Sequence, residues 1–97
     1  MAKKPYKYSK EEYQGIVGLK QAIIDVFTVP ESPGLNKGIL QLIQDASELF
    51  TDFRKDIASK ALRFKNISEK QAYCLAAGLI EEGIADYTDY MHYANDD

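Results

Sequence analysis

The 97-residue sequence has no tryptophan, a single cysteine, a single histidine and three prolines. With Cys74 alone, an internal disulfide is excluded, and a cysteine-based zinc site within one chain is disfavoured. With His92 alone, no two-histidine arrangement of the His-Glu-x-x-His kind exists in one chain. A glycine-rich phosphate loop and a Gly-x-Ser-x-Gly elbow are also missing, so no catalytic residues and no cofactor are expected. No apolar run approaches the roughly 18 residues that a spanning helix needs. The opening MAKKPYKYSKEE carries lysines with no apolar segment behind them, so neither a secretory signal nor a membrane partner is expected. A reducing, cytoplasmic setting follows from the cysteine usage. What is present is 45% apolar and 28% charged residues with a net charge of -3, the balance of one globular domain with a small core.

The apolar spacing predicts an all-α, three-helix domain over residues 1–97, with helices near 10–28, 37–65 and 69–93. Ser9 and Glu12 form a capping box that starts the first helix at Lys10, with Tyr8 and Tyr13 at the positions of a hydrophobic staple. Tyr13, Ile16, Val17, Ile23, Ile24 and Phe27 give its inner face, and Pro30 ends it. VPESPGLNKG, residues 29–38, reads as a loop, with Asn36 as the cap of the next helix. From there Ile39, Ile43, Ala46, Phe50, Phe53, Ile57, Ala61 and Phe64 alternate steps of three and four, which predicts one long central helix with Phe50 and Phe53 both in the core. Ser68 and Gln71 form a second capping box, and Glu69 in the first turn suits the helix dipole. The third helix is expected to carry Ala72, Tyr73, Leu75, Ala76, Leu79, Ile80, Ile84, Tyr87 and Met91 inward. Residues 1–8 and 94–97 are expected to be a flexible basic tail and an acidic tail.

Charge is segregated along the chain. Residues 1–10 hold four lysines and no acid, 51–70 hold six bases and three acids, and 71–97 hold six acids and no base. The basic segments define one candidate surface, Lys3, Lys4, Tyr6 and Lys7 with Arg54, Lys55, Lys60, Arg63 and Lys65, where cations alternate with rings that stack on bases. The acidic end defines another. Glu82, Asp86, Asp89 and His92 fall along one side of a continuous third helix, and Asp89-x-x-His92 has the spacing of metal-binding bundles but lacks a second half. At about 100° per residue, Cys74, Gly78 and Ala85 align on the outer side of that helix, with Glu81 alongside. Small residues let another backbone approach, so this ridge, bordered by Glu81, Glu82, Asp86, Asp89, Tyr90 and Tyr93, is expected to be a partner or homodimer contact.

A lysine-rich start, the junction FKNISEKQA at residues 64–72 and an acidic tail resemble the small helical accessory proteins of bacteriophages, among them inhibitors of bacterial defence such as anti-CRISPR proteins. The resemblance implies stoichiometric binding of a protein partner in the host cytoplasm, with no cofactor and no site residues to transfer. The expected function is thus a non-enzymatic binding or inhibitory module. Two other classes stay open: a nucleic-acid-associated accessory protein, and a metal-dependent helical enzyme assembled across a dimer.

Overall fold

The computed structural model describes residues 8–28 and 33–93, with the side chains of 33–37 excepted. Four α-helices follow one another, α1 Lys10–Thr28, α2 Pro33–Leu49, α3 Phe53–Phe64 and α4 Glu69–Glu81, and a single 3-10 turn spans Tyr87–Asp89. Every regular element among the described residues is helical, and no helix among them is long and apolar enough to cross a membrane. α1 packs chiefly on α4 and α2 chiefly on α3, and the segment around the 3-10 turn lies on α1.

The locally encoded helix starts form as expected. Ser9 and Glu12 exchange both bonds of a capping box, backbone N–H to side-chain oxygen, at 2.9 and 3.1 Å. Ser68 and Gln71 do the same at the start of α4, at 3.1 Å each way. α1 has the expected bounds, whereas α2 starts at Pro33, inside the expected loop. Proline suits a first helical position because the N–H it lacks has no partner there. Asn36 is consequently interior to α2 rather than its cap.

The expected long central helix is in fact two. α2 closes at Leu49, and Asp52, in extended geometry, caps α3 by accepting from the Arg54 backbone N–H at 3.0 Å. A short acidic side chain that satisfies the backbone locally competes with helix continuation, and here it wins. α3 folds back along α2, where the Lys55 ammonium donates to the Ser47 carbonyl at 2.9 Å.

The expected third helix also stops early. Gly83, at φ 76°, sits where only glycine is unstrained. Its N–H donates to the Ile80 carbonyl at 3.1 Å, and that of Ile84 to the Leu79 carbonyl at 2.9 Å, the two bonds of a Schellman motif. The chain then turns back over α1.

The core is built from Ile16, Leu19 and Ile23 of α1, Ile39 and Ile43 of α2, and Leu75 and Leu79 of α4, all fully buried. Each contributes about 1.5 to 3 kcal/mol of transfer free energy. α3 differs: its buried residues are Ala58 and Ala61, while Phe53 and Phe64 lie outside.

Candidate interaction surface

The ridge expected on the outer side of the last helix does not exist as a free surface. Gly78 is buried and Ala85 is 8% exposed, while Cys74 is half-buried. A Cβ built on Gly78 would lie 2.6 Å from the Arg54 guanidinium Nη1 and 3.0 Å from Phe50 Cζ. The neighbour that Gly78 admits is therefore the chain's own folded-back α2–α3 corner. Ala85 lies beyond the end of α4, so a helical rotation drawn through Gly83 no longer places it.

The tyrosines expected to border that contact, Tyr90 and Tyr93, pack within the chain. Gly15 and Gly18 leave a bare strip on α1, and the segment from Ile84 onward fills it. A Cβ at Gly15 would meet Tyr87 Cβ at 2.4 Å, and one at Gly18 would meet the Tyr90 carbonyl oxygen at 1.8 Å. Tyr90 and Tyr93 are half-buried against the core. The Tyr93 hydroxyl donates to Asp25 Oδ2 at 2.7 Å.

Burial, then the bond to Asp25 and its charge, push the Tyr93 hydroxyl from its ordinary 10.0 up to about 12. The folded chain holds this proton more tightly than the unfolded chain does. The associated stability is therefore complete below pH 10 and is lost as pH rises through about 12. Denaturation of wild type and Tyr93→Phe on a pH series should show a constant difference up to about pH 10 that shrinks above it. A difference that grows with alkalinity would contradict the buried bond.

The acidic residues do not assemble. Glu81, Glu82, Asp86 and Asp89 are exposed, as is His92, and they are divided between the end of α4, a turn and the 3-10 helix. Glu81 accepts from the Tyr8 hydroxyl. Asp86 accepts from the Thr88 N–H at 3.0 Å and its hydroxyl at 2.8 Å, which holds the Asp86 carboxyl below its usual range and caps the 3-10 turn. Among the described residues no group of three or more His, Cys, Asp or Glu is placed to hold a metal ion.

Of the expected basic surface, Lys3, Lys4, Tyr6 and Lys7 lie outside the described residues. Arg54 is turned inward. It pairs with Asp52 at 2.9 Å and its guanidinium lies 4.3 Å from the centre of the Phe50 ring. The bond from Arg54 holds the Asp52 carboxyl below its usual range. Lys60 pairs with Asp56 at 3.2 Å, and the Arg63 guanidinium lies 5.5 Å from the centre of the Phe64 ring. Lys55, Lys60, Arg63 and Lys65 are all exposed.

Among these cations on α3 are two rings that the spacing had placed in the core. Phe53 and Phe64 are 61% and 64% exposed, and Leu49, at the end of α2, is 62% exposed. On α3, at about 100° per residue, Phe53, Ile57 and Phe64 fall within about 40° of one another. Ile57 is half-buried and ties this ridge to the core. The helix thus buries its alanines and presents its rings, the reverse of a helix that serves only its own core. A depression between α2 and the end of α3 is lined by Leu40, Gln41, Gln44, Leu62 and Lys65.

Comparison with known protein families, with curated proteins and with solved structures gives no match. The function of this surface has to be read from its own chemistry.

Proposed function

We propose that this chain is a non-enzymatic module that binds a protein partner stoichiometrically through the outer face of α3, acting as an inhibitor of the kind that the likeness to phage anti-defence proteins implies. The supporting observation is the inverted helix, with Ala58 and Ala61 buried while Phe53 and Phe64 are exposed. Leaving two phenyl rings and a leucine in water forfeits burial that a small domain can use, and aromatic residues are what buried interface centres are enriched in. The rim of Lys60, Arg63 and Lys65 supplies the polar border that such patches carry.

Since both rings are exposed, Phe53→Glu with Phe64→Glu should leave the thermal midpoint close to that of wild type. The immobilised wild-type chain should retain a protein from bacterial lysate, in fixed stoichiometry, that the double variant loses. Retention by both alike, or by neither, would refute the reading.

A second reading has one observation in its favour, the Arg63 guanidinium over the exposed Phe64 ring with Lys60 and Lys65 on either side in sequence. If the face followed a phosphate backbone, affinity for single-stranded DNA would fall with salt at a slope near -0.7 per phosphate contacted. A flat salt response would remove the nucleic-acid reading and leave the protein-binding one.

A further inference from the structure

We infer that residues 86–93 form a latch, a strap that lifts from α1 as one unit and is held shut at its far end by the bond from Tyr93 to Asp25, while the four helices stay folded. Hydrogen bonding sets where the strap begins. The N–H groups of Ile84 and Ala85 both donate to the Leu79 carbonyl, at 2.9 and 3.1 Å, and Ala85 is 8% exposed, so these two residues belong to the end of α4. Asp86 follows, exposed and in extended geometry at φ -97° and ψ 120°. From there on the backbone bonds are local, with the N–H of Asp89 donating to Asp86, that of Tyr90 to Tyr87 and that of Tyr93 to Tyr90, at 3.1, 3.0 and 3.1 Å. Among the described residues, the only hydrogen bond that crosses from the strap to the helices is that of the Tyr93 hydroxyl to Asp25, at 2.7 Å.

Opening therefore breaks one bond and withdraws the half-buried side chains of Tyr87, Tyr90, Met91 and Tyr93, whereas unfolding the helices exposes the fully buried core. Segments held this lightly open at a free energy well below that of global unfolding. The strap leaves whole rather than residue by residue. Its catch is at the far end, and between catch and helix Tyr87 and Tyr90 are seated on Gly15 and Gly18, so the middle cannot depart while the end is held. A lone 3-10 turn is not stable without the surface beneath it, so its bonds melt when the strap lifts. The three atoms nearest to a Cβ at Gly15, and likewise at Gly18, all belong to Tyr87, Tyr90 or Tyr93, so lifting bares this strip of α1. The outer face of α3 takes no part, since α3 packs on α2 and α4. The chain thus carries a covered surface on α1, separate from the exposed one on α3, and the bond between Tyr93 and Asp25 governs its exposure.

Native-state hydrogen exchange of the full chain, read amide by amide, tests this. The amides of Asp89, Tyr90 and Tyr93 should share one protection factor, about tenfold or more below that of Leu75 and Leu79 in α4. Ala58→Gly, in the buried face of α3, should lower the protection of Leu75 and Leu79 by about fivefold and leave that of the strap unchanged, because it weakens the helices equally with the latch shut or open. Asp25→Ala and Tyr93→Phe should each lower the strap's protection by about tenfold, at all three amides together, and the double variant no further. Protection that falls stepwise from Asp89 to Tyr93 would show fraying instead of a latch. Strap amides that match Leu75 and Leu79, and drop with them in Ala58→Gly, would show that the strap opens only with the whole domain. Strap amides without protection in the wild type, or unmoved by Asp25→Ala and Tyr93→Phe, would remove the catch. Each of these outcomes overturns the inference.

Discussion

Replacing Phe50 with alanine should lower the unfolding free energy by about 3 to 5 kcal/mol, whereas the same change at Phe53, three residues on, should stay within about 0.5 kcal/mol. Both residues belong to the same apolar stripe, so the contrast tests where the chain turns. Phe50 is 5% exposed, at the corner between α2 and α3. Its ring carries the Arg54 guanidinium at 4.3 Å on one side. Its edge lies where a Cβ on Gly78 would come within 3.0 Å, so it also touches the backbone of α4. Truncation would open a cavity shared by three helices and leave Arg54 without the ring beneath it. A domain of this size has about 5 to 15 kcal/mol in total, so the loss takes a large share of the margin. Phe53 is 61% exposed, and its removal opens nothing. Urea denaturation of the two variants decides the matter. Equal losses would restore the continuous helix, and a loss below about 1 kcal/mol at Phe50 would mean that the corner is not packed as described.

How much of this was legible in the sequence depends on the range of the interaction. The start of α1 at Lys10 and that of α4 at Glu69 are set by side chains three residues apart, and both were readable. The end of α4 was readable in principle, because Gly83 follows the last periodic residues, but the apolar spacing of Ile84, Tyr87 and Met91 carried the helix past it. The corner at Asp52 was hidden for a similar reason. The three-and-four spacing runs unbroken from Ile39 to Phe64, and periodicity cannot register a turn that keeps the phase. That corner decided the site as well. Once α3 folds back, Gly78 acquires Phe50 and Arg54 as neighbours, and the small-residue ridge becomes an internal seam. Phe53 and Phe64, placed in the core by the same stripe, emerge at the surface. The docking of the tyrosine segment on α1 joins residues about seventy positions apart, and no local signal reports it.

That docking makes Gly18 the position where the smallest change should do the most. Three helical glycines form a graded series. At Gly38 a Cβ would meet nothing within 4 Å, so Gly38→Ala should raise stability by about 0.5 to 1 kcal/mol, through lower backbone entropy in the unfolded chain. At Gly78 the obstacles are the far end of the Arg54 side chain at 2.6 Å, which can swing aside, and the buried Phe50 Cζ at 3.0 Å, which must give by a few tenths of an ångström, so the cost there should be intermediate. At Gly18 the obstacle is the Tyr90 carbonyl oxygen at 1.8 Å, with its carbon at 2.9 Å and Tyr93 Cβ at 3.3 Å. Backbone cannot rotate out of the way. The segment must retreat as a body, and retreat draws Tyr90 from the core and stretches the Tyr93 bond to Asp25, 2.7 Å long in the docked state. The gain in helix propensity, about 1 kcal/mol, is opposed by overpacking of about 1 to 3 kcal/mol and by the burial that is lost with the segment. Gly18→Ala should therefore be destabilising overall, should weaken the near-ultraviolet dichroism of the tyrosines, and should open the chain to protease beyond Gly83 while α1 to α4 stay folded. The Tyr93→Phe change should then cost little in the Gly18→Ala background, because the bond it removes is already broken. A Gly18→Ala protein as stable as wild type, with its tyrosine signal intact, would show that the segment does not rest on α1 at all.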